Sequence, residues 1–61
     1  MSFEIGDIVK NRFLKGKKAE VIAVNQYKYE EITVYKLRDI KTNYVDTWDE
    51  YEISRSWKKE D

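Results

Sequence analysis

Apolar residues along this chain come in short bursts that alternate with polar ones, rather than in long stripes. Ile8 and Val9 follow the turn-forming pair Gly6-Asp7 and open an extended segment over residues 7 to 14. Lys15-Gly16-Lys17-Lys18 reads as a turn. The run Val21-Ile22-Ala23-Val24 within residues 19 to 25 is rich in β-branched types and too short for a helix. It predicts a central strand buried on both faces for part of its length. Residues 25 to 30 form a polar hairpin loop. Residues 32 to 38 are the clearest strand: Thr33, Tyr35 and Leu37 share one face, and Ile32, Val34, Lys36 and Arg38 share the other. A turn over 39 to 43 leads to a fourth strand over 44 to 48. Brief strands at this spacing, with turns between them, predict a small antiparallel barrel or sandwich.

The C-terminal segment carries two signals that disagree. Thr47-Trp48-Asp49-Glu50 matches a capping box, and acids precede bases along 49 to 59, as a helix dipole favours. At 100° per residue, however, Trp48 and Tyr51 fall almost opposite Ile53 and Trp57, so a continuous helix presents no single apolar face. The pattern therefore predicts one helical turn at 48–50, a short strand at 51–54 and a frayed tail from Arg55. The expected core is Ile5, Ile8, Val9, Phe13, Val21, Val24, Tyr35, Leu37, Val45 and Ile53. Tyr27, Tyr29, Tyr44, Trp48, Tyr51 and Trp57 are left without an assured place inside.

The order Gly6-Asp7-Ile8-Val9, Gly16, Ala19-Glu20-Val21-Ile22-Ala23-Val24, Tyr35-Lys36-Leu37, Trp48 and Glu52-Ile53 resembles that of small SH3-like barrel proteins. It is closest to the KOW- and Tudor-type barrels and to short barrel proteins of bacterial phages. The resemblance implies an all-β, five-stranded antiparallel SH3-like barrel with a short helical turn before its last strand. It covers a core of about residues 5–54 of a single 1–61 domain, with 55–61 as a tail. Ala19 stands where the KOW pattern places a glycine, so KOW activities do not carry over with the fold.

Composition narrows the chemistry. The 61 residues include no cysteine and no histidine, which removes thiolates, the commonest general base and the commonest metal ligand. Aromatic content of 15% and hydrophobic content of 41% mark a folded chain rather than a disordered one. No apolar run approaches the roughly 20 residues that cross a bilayer. The N-terminus lacks the basic and apolar regions of a signal peptide, so a cytoplasmic location without a membrane partner is expected. The preference for Lys, Ile, Asn and Tyr over Gly, Ala, Arg and Pro suggests an AT-rich source, such as a low-GC bacterium or its phage. Ser2, Ser54 and Ser56 have no histidine to activate them, and Lys15-Gly16-Lys17-Lys18 lacks Walker spacing. Asp46, Asp49, Glu50 and Glu52 lack the spacing and glycine of a calcium loop. No catalytic residue, metal or cofactor is expected.

Two binding surfaces remain. Trp48, Tyr51 and Tyr44, flanked by Asp46, Asp49 and Glu50, have the composition of an aromatic-acidic patch for a protein or peptide. This is the leading expectation, a non-catalytic accessory module, with a homodimer contact as a variant of it. The alternative is nucleic acid. Net charge is zero, yet residues 1 to 28 hold six bases against three acids, and residues 29 to 61 hold six against nine. Lys10, Arg12, Lys15, Lys17 and Lys18 crowd the first hairpin, where Tyr27 and Tyr29 could offer stacking faces.

Overall fold

In the computed structural model, which describes residues 3–27 and 31–60, five antiparallel strands form one sheet and a single helix interrupts their sequence. The strands are β1 (Ile8–Asn11), β2 (Lys18–Tyr27), β3 (Ile32–Asp39), β4 (Val45–Asp49) and β5 (Trp57–Lys59), and α1 (Glu50–Ser56) separates the last two. The spatial order is β4-β3-β2-β1-β5. The first four strands meander, and β5 returns to pair with β1, Lys10 opposite Lys58 and Asn11 opposite Trp57. The fold is therefore all-β. Among the described residues no ladder joins β4 to β5. These two edges nevertheless meet through their side chains. The rings of Trp48 on β4 and Trp57 on β5 pack edge-to-face with centroids 5.9 Å apart, so the sheet curls towards itself.

The run 21–24 has a different meaning from two-sided burial. The register between β2 and β3 shifts between Val21 and Ala23, so Val21 lies opposite Leu37 and Val24 lies opposite Tyr35. Ile22 is the extra residue of a β-bulge. A bulge places adjacent apolar residues on a strand that has only one buried face. Val21 is fully buried, whereas Ile22 and Val24 are exposed. The chain ahead of β1 clasps the bulge: Gly6 N donates to Val21 O at 2.8 Å, and Val21 N donates to Asp7 O at 2.9 Å.

The core comprises Phe3, Val9, Ala19, Val21, Tyr35, Leu37, Ile53 and Trp57, with Trp48 packed against it. Val9, Val21, Tyr35, Leu37 and Ile53 were expected from the sequence. Ile5, Phe13, Val24 and Val45 are instead exposed, and Ile8 is half-buried. Ile5 lies in the turn before β1, Phe13 in the loop after it, and Val24 beyond the bulge towards the far end of β2. Val45 pairs with Arg38 on the outer face of the sheet. Their places are filled by Phe3, which meets Tyr35 edge-to-face at 5.7 Å, by Ala19 and by Trp57.

The C-terminal segment also departs from expectation. Residues 51–54 are helical and the last strand is 57–59. Asp49 caps α1, accepting hydrogen bonds from Tyr51 N and Glu52 N at 2.9 and 2.8 Å, while Glu52 accepts from Asp49 N at 3.2 Å. This is a capping box two residues later than the one read from Thr47. Ile53 is the only buried residue of α1. Two turns need no stripe beyond that one anchor, and Trp57 takes its place in the core from a strand. The tail does not fray through the described residues: Glu60 N donates to Ile8 O at 2.9 Å, and Lys18 Nζ lies 2.6 Å from the Glu60 carboxylate.

Candidate nucleic-acid interface

Beyond β1, residues 12–17 turn back to start β2, and their conformation is set by one side chain. Asn11 Oδ1 accepts hydrogen bonds from both Phe13 N and Leu14 N at 2.9 Å. Lys17 N donates to Leu14 O at 3.1 Å, and Asn11 N donates to Lys17 O at 2.9 Å, closing the loop. Gly16 supplies the positive φ, +82°, that an L side chain adopts only with strain. Arg12 is tied to the far end of the chain: its N donates to Ser56 O at 2.7 Å and its Nε to Trp57 O at 3.2 Å. The two terminal guanidinium nitrogens make no hydrogen bond among the described residues.

This construction gathers charge. A cleft of about 520 Å³ is lined by Lys10, Asn11, Arg12, Phe13, Lys15, Gly16, Lys17, Lys18 and Lys58, with no carboxylate among them. All five cations expected from the first hairpin line it. The sixth, Lys58, comes from β5, within the segment expected to fray. Lys10 stands opposite Lys18 on β2 and opposite Lys58 on β5. Three adjacent strands thus carry a row of lysines about 5 Å apart at the backbone. Like charges directly opposite each other weaken a sheet, and the only ion pair that relieves this row among the described residues is Lys18–Glu60. The hydrogen bond from Lys18, aided by the charges of Lys18 and Lys10, holds the Glu60 carboxyl below the usual range. Phe13, expected in the core, stands at the rim with 76% of its surface exposed. Tyr29 and the side chain of Tyr27 lie outside the described residues.

The aromatic-acidic residues do not converge in the same way. Trp48 is half-buried against the core, and its indole N–H has no hydrogen-bond partner among the described residues. Tyr44 (68% exposed) lines a recess with Lys17, Asp39 and Asp46. Tyr51 (61% exposed) lines a different one with Phe3, Thr33 and Glu50. The acids are engaged with backbone amides: Asp46 accepts from Thr47 N, Asp49 caps α1, and Glu50 accepts from Thr33 N at 3.1 Å. The bonds at Thr47 and Asp49 occupy two amides of edge strand β4, and so blunt it against pairing with another chain.

Sequence reasoning missed two contributors to the cleft. Lys58 follows Trp57 with a second base after it, a pattern too short to outweigh the helical charge order around it. Phe13 was signalled better: Asn11 and Gly16 bracket it as turn residues and take it out of the strand. Comparison of the chain with protein-family models, curated proteins and solved structures finds no match.

Proposed function

We propose that this chain is a non-catalytic, cytoplasmic module that binds the phosphate backbone of nucleic acid in the cleft between the first hairpin and β5. The carrying observation is that six cationic side chains and no carboxylate line one concavity of a molecule with zero net charge. Such a segregation leaves repulsion between neighbouring lysines that a polyanion would relieve. With Lys18 partly neutralised by Glu60 and Lys17 partly by Asp39, the cleft offers charge for about four or five phosphates, enough for weak, salt-sensitive binding. The scaffold is read as an SH3-like barrel. Its support is the strand order, the short helix before β5 and the contact between Trp48 and Trp57 across the two edges.

A protein- or peptide-binding role ranks second. It is supported by the exposure of Tyr44 beside Asp46 and of Tyr51 beside Glu50. The two readings separate in a titration of labelled oligonucleotides at low salt. The double variant Lys15→Glu/Lys17→Glu is expected to bind at least tenfold more weakly than the parent chain. Equal affinity for the two proteins, or no binding by the parent, would count against the nucleic-acid reading.

A further inference from the structure

We infer that the cleft takes single-stranded rather than duplex nucleic acid, with a base stacked on the ring of Phe13; this rests on the nucleic-acid reading above. The first observation is the exposure of Phe13, 76%, in a chain whose small core draws in Phe3, Tyr35 and Trp57. The ring is not left out by a lax loop. Phe13 N and Leu14 N are both held by Asn11 Oδ1, and the loop is closed at Lys17. The aromatic face is presented by a backbone already fixed, so binding pays no entropy for ordering this turn.

The second observation is what surrounds the ring. Phe13 shares the cleft with Lys10, Arg12, Lys15 and Lys17. A cationic track beside an aromatic platform is the combination that holds single strands without sequence preference, because every base has a π face. A duplex keeps those faces stacked inside its helix and has none to offer Phe13. The third observation is scale. The row Lys58, Lys10, Lys18 crosses two strand-to-strand steps, only about 10 Å. The site is short, and one stacked base is a large part of what it recognises.

Fluorescence anisotropy with a labelled ten-nucleotide strand and a ten-base-pair hairpin closed by an ethylene glycol linker, which leaves no unpaired base, tests this, using the parent chain, Phe13→Ala, Phe13→Tyr and Lys15→Glu/Lys17→Glu. Phe13 is exposed, and unchanged far-UV circular dichroism and melting would verify that its variants fold. Phe13→Ala is expected to weaken single-strand binding about 5- to 150-fold, the range for losing one stacked base, with little change for the hairpin. Phe13→Tyr restores binding because it restores the ring. If both oligonucleotides bind, depend on Lys15 and Lys17, and ignore Phe13→Ala, the stacking inference fails and the charge reading stands. Tighter binding of the hairpin overturns it equally. If neither oligonucleotide binds, the reading of the cleft fails and this inference with it; capture of poly-glutamate instead would reassign the cleft to an acidic protein.

Discussion

Replacing Lys10 by methionine sets stability against binding at one position. Lys10 has a lysine directly opposite it on each neighbouring strand, Lys18 on β2 and Lys58 on β5. Two unit charges about 5 Å apart in water repel by about 0.8 kcal/mol. Screening at 0.15 M ionic strength, with a Debye length of about 8 Å, leaves about 0.4 kcal/mol. Glu60 offsets much of the charge of Lys18, so the relief on removing Lys10 lies between one and two such repulsions, about 0.4–0.8 kcal/mol. Methionine matches the length of the lysine stem and lacks its charge, so packing changes little. For a domain of this size the melting temperature should rise by about 2–6 °C. At 1 M salt, where the Debye length is about 3 Å, most of that gain should vanish. The same variant should bind oligonucleotides more weakly and lose about one from the slope of log K against log salt. Thermal melts followed by circular dichroism at both salt concentrations give the first result. A variant that melts below the parent at 0.15 M, or whose gain is untouched by salt, refutes the reasoning.

Three further outcomes follow from the fold. Asp49→Ala removes the acceptor for Tyr51 N and Glu52 N and should destabilise by about 1 kcal/mol in a denaturant titration, with Asp49→Asn recovering most of it. Ile53→Ala empties the only buried position of α1; a loss of about 2–5 kcal/mol, set against a total of roughly 3–9 kcal/mol for a chain of this length, should leave much of it unfolded by circular dichroism at 37 °C. The carboxyls of Asp7, Asp39 and Glu60 are all held below their usual values, chiefly by a hydrogen bond from Glu4 N, by hydrogen bonds from Thr42 N and Lys41 N, and by Lys18, respectively. Each therefore contributes stability that is complete above the ordinary carboxylate range and is lost as pH falls through the lowered values, so the melting temperature should fall on acidification below about pH 4.

What the sequence disclosed, and what it did not, divides along chain distance. The alternation of Tyr35 and Leu37 against Lys36 is local, and it placed β3 and its inner face correctly. The bases of the hairpin were visible for the same reason, because Lys10, Arg12, Lys15, Lys17 and Lys18 are neighbours along the chain as well as in the cleft. The pairing of β1 with β5 is not local. Nothing near Trp57 announces that residues 57–59 will lie beside residues 9–11. Without that pairing, Trp57 looks like a misplaced helix residue and Lys58 like part of a loose tail. A single apolar stripe across 48–59 is the wrong test for this segment, because α1 ends at Ser56 and docks through Ile53 alone. The bulge at Ile22 hid in a run of four apolar residues, because period-two counting has no slot for an extra residue. Hydrophobicity alone assigns Phe13 to the core, whereas Asn11 and Gly16 mark its surroundings as a turn.

A phosphate site in the cleft is tested most directly by the affinity of the unmodified chain for a short single-stranded oligonucleotide across a series of salt concentrations. Engagement of four or five phosphates predicts a straight line of log K against log salt with a slope of about −3. A slope near zero, or no binding even at the lowest salt, would contradict it.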